Sequence, residues 1–73
     1  MEAKMKISAR NILKGKIKEI TPGAVNSEVI IETAHGETIV SVITKDSVAN
    51  LGLKVSKEVY AVIKASSVMV AID

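Results

Sequence analysis

The sequence predicts an all-β fold, a small five-stranded barrel with one short helix between strands 3 and 4. Three features of the 73-residue chain lead to this prediction. Val and Ile recur in short alternating runs, turn-forming residues separate these runs, and a single stretch has the spacing of a helix. A closed barrel would also remove the exposed strand edges that a chain rich in Val tolerates poorly.

Turn signals delimit the first three strands, and the second also shows alternation. Lys16 to Ile20 ends the first strand, and Thr21-Pro22-Gly23 stops it. Ser27 to Ala34 alternates as a half-buried strand does. His35-Gly36 then turns the chain into a third strand, Glu37 to Ile43. We expect a hairpin with a two-residue connection, in which the glycine takes a positive φ.

The pattern changes after the third strand. Thr44 to Gly52 begins with a hydroxyl cap, contains two apolar residues three positions apart, and ends in glycine, which together predict one short helix. Glu58 to Lys64 and Val68 to Ile72 return to strand composition. Five strands with a helix between the third and the fourth have the order of a barrel of the oligonucleotide- and oligosaccharide-binding (OB) type.

The composition limits how this small domain can be stabilised. The chain contains no Cys, Trp or Phe and a single Tyr, so disulfides and a cysteine-based metal site are excluded. One His is too few for a zinc site with carboxylates at ordinary spacing. A domain this short buries only about 60% of its unfolded surface. Because 48% of the residues are hydrophobic, we expect self-association to supply the missing stability.

Charge and hydropathy indicate the location of the protein and the classes of partner it lacks. The net charge of +2 is weak, whereas nucleic-acid-binding domains usually carry a stronger positive field and aromatic side chains for stacking. No apolar run approaches the roughly 20 residues that span a bilayer, and the start lacks the apolar block of a signal peptide. We therefore expect a cytoplasmic protein with no nucleic-acid or membrane partner. Residues 1–5 are expected to be a flexible end and residues 6–73 a single domain.

The residues that could catalyse a reaction are isolated from one another. His35 lies in a turn away from any nucleophile motif, which is typical of a solvated turn residue. Glu28 and Glu32 fall on the solvent side of a strand and do not resemble a catalytic pair. The four glycines stand at separate turns, so there is no phosphate-binding loop. We therefore predict a protein that is not an enzyme, with no catalytic residue and no resident metal.

Three polar segments remain at the ends of apolar runs. They are Ser8-Ala9-Arg10-Asn11, Thr44-Lys45-Asp46-Ser47 and Lys64-Ala65-Ser66-Ser67. All three are rich in hydrogen-bond donors, and the free amides at a helix start would add more. Each has a plain structural alternative: a surface ion pair for Arg10, a helix cap for Thr44, and a turn for Ser66-Ser67. Taken jointly, the segments are compatible with an anion site.

The stretch from Met5 to Ile72 resembles the molbindins, small molybdate- and tungstate-storage proteins of the TOBE domain family. The resemblance rests on three motifs, which occur in the family's order and spacing. They are Ile7-Ser8-Ala9-Arg10-Asn11 followed by Leu13-Lys14-Gly15, Ile43-Thr44-Lys45-Asp46-Ser47-Val48 with Leu51-Gly52, and Val62-Ile63-Lys64-Ala65-Ser66 followed by Val68-Met69. The same domain occurs in molybdate-responsive regulators and at the end of molybdate transporter ATPases.

The resemblance implies a function in molybdenum storage and homeostasis. It implies molybdate or tungstate as the ligand, no organic cofactor, and an OB-like barrel whose protomers exchange strand contacts in a dimer, with dimers grouped into a hexamer. The oxyanion would be held between subunits. The implied binding residues are Ser8, Ala9, Arg10, Asn11, Thr44, Ser47, Lys64, Ala65 and Ser66. Among them, Asn11 either contacts the ligand or braces Arg10.

Two other functions are compatible with the sequence. A small barrel of this type can bind nucleic acid, although one Tyr offers no stacking platform and the basic residues alternate with acidic ones. The chain can also be a freestanding regulatory or interaction domain, like those attached to transporters and regulators.

Overall fold

The computed structural model describes residues 7–73. The predicted flexible end, residues 1–5, lies outside this range. The elements in chain order are β1 (Asn11–Pro22), β2 (Asn26–Thr33), β3 (Thr38–Thr44), α1 (Lys45–Asn50) and β4 (Glu58–Ile63), followed by a single 3-10 turn at Ala65–Ser67. The prediction of an all-β fold with one short helix between the third and fourth strands is confirmed.

The four strands form one antiparallel sheet in the order β3-β2-β1-β4. The 12-residue β1 pairs with β4 through its first half and with β2 through its second half, and only Gly15 and Lys16 face both neighbours. The β1–β2 register shifts between Ile17 and Glu19, an irregularity of the kind that bends a strand and increases its twist. The sheet therefore curls around one apolar face.

The prediction of a fifth strand at Val68 to Ile72 is wrong within residues 7–73. The segment follows the 3-10 turn without pairing to any of the four strands, and the side chains of Met69, Val70 and Ile72 are 93%, 90% and 93% exposed. Its composition suits a strand, but a strand also needs a hydrogen-bonded neighbour and a surface to pack against. The barrel is therefore not closed within residues 7–73, and β3 and β4 are the edges of the sheet.

The hairpin between β2 and β3 differs from the prediction in its length. Residues 34–37 connect the two strands, so the connection has four residues instead of two. The amide of Thr33 donates to the carbonyl of Glu37 at 2.8 Å, and the amide of Gly36 donates to the carbonyl of Thr33 at 3.0 Å. These bonds close a wider loop, in which Gly36 has the expected positive φ of 85°.

The core is small for the number of apolar residues in the chain. Ile17, Val29, Ile31 and Ala61 are buried on the concave face of the sheet. An apolar cavity of about 730 Å³ lies beside them and is lined largely by residues of β3 and β4. The concave side of the sheet is thus only partly filled by the described residues. Within residues 7–73, no helix has the length and apolar character needed to cross a membrane.

Candidate functional site

The first and third polar segments meet at one end of the sheet. Asn11 and Ile63 are partners at the end of the β1–β4 ladder, and the Asn11 Nδ2 donates to the Ile63 carbonyl at 3.2 Å. In an antiparallel pair, the residues next beyond this end are Arg10 on one strand and Lys64 on the other. Ser8 and Ala9 precede Arg10, whereas Ala65 and Ser66 follow Lys64 in the 3-10 turn. We call residues 8–11 and 64–66 the cation end.

The charges of the cation end are not neutralised by the described residues. Arg10 and Lys64 are exposed, and neither forms an ion pair with a residue in the range 7–73. The ion pairs found in this range lie farther along the sheet. The Lys14 Nζ is 3.8 Å from the Glu58 Oε1. The Lys18 Nζ is 3.9 Å from the Glu32 Oε2. Adjacent like charges on neighbouring strands repel one another unless an anion lies near them. The uncompensated positive charge of the cation end therefore favours the binding of an anion.

The second polar segment forms a capped helix start. Thr44 ends β3 and caps α1, because its Oγ1 accepts from the Ser47 amide at 3.0 Å. The Thr44 hydroxyl in turn donates to the Ser47 Oγ at 2.9 Å, which leaves the Ser47 hydroxyl hydrogen available. The Lys45 amide donates to the Val25 carbonyl at 3.0 Å. The expectation of free amides is therefore wrong for Lys45 and Ser47, since the cap and the β1–β2 turn already accept from them.

The capped helix start lies at the other end of the sheet from the cation end. Thr44 pairs with Asn26 at the start of β2, and the next residue of β2, Ser27, pairs with Pro22 at the end of β1. Asn11 stands at the opposite end of the same 12-residue strand. One chain thus brings two of the three predicted segments together and keeps Thr44 and Ser47 apart from them.

Lys57 stabilises the C-terminal end of α1, and no sequence signal pointed to it. Its Nζ donates to the carbonyls of Leu51 at 2.9 Å and Gly52 at 3.1 Å, directly after α1. A cation at the C-terminal end of a helix satisfies unpaired carbonyls and interacts favourably with the helix dipole. Lys57 follows Gly52 by five residues, outside the last helical turn where a basic residue would have been a sequence signal.

The chemistry of both ends favours a ligand that only accepts hydrogen bonds. In the described part of the chain, no group of three or more His, Asp or Glu side chains could hold a metal ion. The cation end combines a guanidinium, an ammonium and two hydroxyls, whereas the capped helix start adds the hydroxyl of Ser47. The carboxylate of Asp46 lies in the first turn of α1, where the helix dipole stabilises it.

The chain matches a known family over most of its length. The model of the TOBE domain matches residues 7–70. A probable molybdenum-pterin-binding protein of Haemophilus influenzae is 49% identical over 69 residues, which cover 94% of this chain and 100% of that protein.

Two solved structures have the same fold at high sequence identity. A molybdate-binding protein from Sporomusa ovata superposes with a TM-score of 0.87 and 40% identity, covering 93% of this chain and 100% of that chain. The cytoplasmic molybdate-binding protein ModG, in a form with molybdate bound, gives a TM-score of 0.82 and 50% identity over 85% of this chain and 44% of that one. These superpositions confirm the predicted OB-like class of fold. The chain belongs to the TOBE domain family.

Proposed function

We propose that this protein binds molybdate and stores or buffers it in the cytoplasm, with tungstate as a second ligand and without catalysing a reaction. The observation that carries the proposal is the pair of cations, Arg10 and Lys64, at the end of the β1–β4 ladder. The similarity to proteins named for molybdate or molybdenum-pterin binding supports the same ligand. The cytoplasmic relative ModG supports the location.

The chemistry of the ligand agrees with the donors of the cation end. Molybdate at neutral pH is a tetrahedral dianion whose oxygens only accept hydrogen bonds. A site for it should offer donors and positive charge and should keep carboxylates away. A hydrogen bond to a charged group contributes about 1.5 to 3 kcal/mol, so several such bonds suffice for micromolar affinity after desolvation and ordering costs. Residues 6–73 would serve as one oxyanion-binding domain.

Each residue of the cation end other than Asn11 has a proposed role toward the ligand. Ser8 would donate through its hydroxyl, Ala9 through its backbone amide and Arg10 through its guanidinium. Lys64 would supply its ammonium group, and the small residue Ala65 would let the backbone approach the ligand closely. Ser66 would donate from the 3-10 turn.

Thr44 and Ser47 would complete the site from a second copy of the chain. The support is topological: these residues lie at the opposite end of the sheet from Arg10 and Lys64, so a single chain does not unite all three segments. Molybdate would then lie between subunits. Binding and assembly would depend on each other.

The C-terminal segment, residues 68–73, is the proposed link between copies. Its apolar side chains are exposed, the sheet has two open edges, and the cavity of about 730 Å³ between β3 and β4 is apolar. A strand from a second copy would cover the exposed side chains and pair an open edge of the sheet. We place this exchange in a dimer, with three dimers forming a hexamer. The proposal includes no organic cofactor, nucleic acid or membrane partner.

Isothermal titration of the purified protein tests the function. Molybdate and tungstate should each bind with micromolar affinity or better, and sulfate should bind more weakly, because it has the same charge and shape but is smaller. Absence of molybdate binding, or tighter binding of sulfate, would overturn the proposal. A salt-sensitive shift of single-stranded DNA or RNA would instead support the nucleic-acid alternative.

A further inference from the structure

Asn11 occupies the last paired position before the strands β1 and β4 separate. Beyond it, Arg10 lies in a bend and Lys64 leads into the 3-10 turn, and both are exposed. The Asn11 side chain is half-buried and donates through Nδ2 to the Ile63 carbonyl at 3.2 Å. This hydrogen bond joins residues 52 positions apart in the chain. It joins the end of β1, next to Arg10, to the end of β4, next to Lys64.

The positive charges of Arg10 and Lys64 destabilise this end of the β1–β4 ladder. Like charges that follow directly on neighbouring strands repel, and no described carboxylate pairs with either of them. Strand ends are also the places where a ladder frays. A neutral amide that bridges the strands holds the two ends together without reducing their positive charge. A carboxylate at the same position would attract both cations and repel the anion.

We propose that Asn11 is a positioning residue, which fixes the spacing of Arg10 and Lys64 for the oxyanion by its bond to Ile63 and is not itself a ligand. This role rests on the proposed function of the cation end. One Nδ2 hydrogen of Asn11 is already committed to Ile63 in the ligand-free protein. The site is therefore preorganised before the ligand arrives, and the free energy of binding is not spent on joining the strand ends.

The consequence can be measured in affinity and in selectivity. When the competent arrangement is only partly populated, the apparent dissociation constant rises in inverse proportion to its population. Asn11→Leu, which removes the amide at similar size, should weaken molybdate binding roughly three- to tenfold, as expected for one lost hydrogen bond. The preference for molybdate over sulfate should shrink as well, because two anions of equal charge and shape are distinguished by a fixed spacing of donors.

A matched control separates positioning from simple stabilisation. Ile20 is half-buried in β1, packs against the core away from the cation end and does not line the apolar cavity. Ile20→Ala should lower the melting temperature without changing the ratio of the sulfate and molybdate dissociation constants. Asn11→Gln retains an amide donor and should restore part of the affinity lost in Asn11→Leu. Titration of all four proteins with both anions gives these values.

Nuclear magnetic resonance distinguishes a brace from a ligand in the wild-type protein. The Asn11 side-chain amide should exchange slowly with solvent before molybdate is added and should remain slow at saturation. Protection that arises only with molybdate would assign Asn11 as a ligand and overturn the inference. Unchanged affinity and selectivity in Asn11→Leu, with molybdate binding intact in the wild type, would also overturn it. If the wild type binds no molybdate, the proposed function fails first and the role of Asn11 with it.

Discussion

Thr44 and Ser47 are joined by two hydrogen bonds at the first turn of α1. The Ser47 amide donates to the Thr44 Oγ1 at 3.0 Å, and the Thr44 hydroxyl donates back to the Ser47 Oγ at 2.9 Å. The first bond stabilises the helix, whereas the second orients the Ser47 hydroxyl so that its own hydrogen is available to a neighbour. The two residues therefore have separable roles.

Thr44→Val should destabilise the protein more than Ser47→Ala does. The valine keeps the β-branched shape at the end of β3 but removes the cap, which costs roughly 0.5 to 2 kcal/mol of unfolding free energy. The alanine keeps the capping bond to its backbone amide, so its cost should be smaller. Urea unfolding followed by circular dichroism measures both values. An equal loss in the two variants would contradict the assignment of the cap to Thr44.

Arg10→Ala and Lys64→Ala should each weaken molybdate binding roughly tenfold or more, since each removes a charge-assisted hydrogen bond. Neither substitution should lower the melting temperature, because both side chains are exposed and each removal relieves repulsion at the cation end. Isothermal titration and thermal unfolding measure the two quantities.

Lys54→Ala is the control for the loss of one positive charge, because Lys54 is exposed and lies in the loop between α1 and β4. It should change the affinity little. If Lys54→Ala weakened binding as much as Arg10→Ala, the effect would come from net charge and not from the cation end.

Gly15→Ala should destabilise the sheet by about 1 to 3 kcal/mol, the usual cost of overpacking. Gly15 is buried where β1 pairs with both neighbours, and an added Cβ would lie 2.6 Å from the Glu32 carbonyl oxygen and 2.9 Å from the Ile31 Cγ2. The strands must separate to admit it. Lys16→Ala, at the next and exposed position, should cost much less in the same denaturation experiment. Equal stability of Gly15→Ala and the wild type would show that the strands adjust freely there.

Removal of residues 68–73 should reduce the size of the assembly. The deletion leaves all four strands and the buried core residues in place, but it removes Met69, Val70 and Ile72, which the proposed exchange would cover. Size-exclusion chromatography with light scattering measures the mass. Val70→Asp in the full chain is a milder test and should shift the mass in the same direction, because a buried charge opposes the contact. An unchanged mass in both variants would show that the segment does not join the copies.

Local sequence signals predicted most of the secondary structure. The cap at Thr44, the positive φ of Gly36 and the alternation of β2 each depend on residues close in the chain, and the structure confirms all three. The hairpin connection was predicted too short, because the bonds between Thr33, Gly36 and Glu37 close a loop that a dipeptide signal does not specify.

The candidate site was only partly accessible from the sequence. The donor-rich character of the three segments is a property of residue types and could be read directly. That Arg10 and Lys64 are adjacent while Ser47 is distant depends on strand register and order. The partners of Asn11 and Lys57 are backbone carbonyl groups, which every residue possesses, so the residue types of the sequence do not indicate which carbonyls accept these bonds.

The sequence by itself determined the class of fold, the positions of the turns, the helix cap and the donors at the segment ends, because these follow from side-chain chemistry and short-range backbone preferences. Only the tertiary structure decided which polar segments lie side by side and which segment of strand-like composition lacks a partner. Pairing Asn11 with Ile63 joins residues 52 positions apart, and the segment after Ser67 has strand composition without a neighbouring edge. Both outcomes depend on long-range pairing, to which the composition of a single segment contributes little.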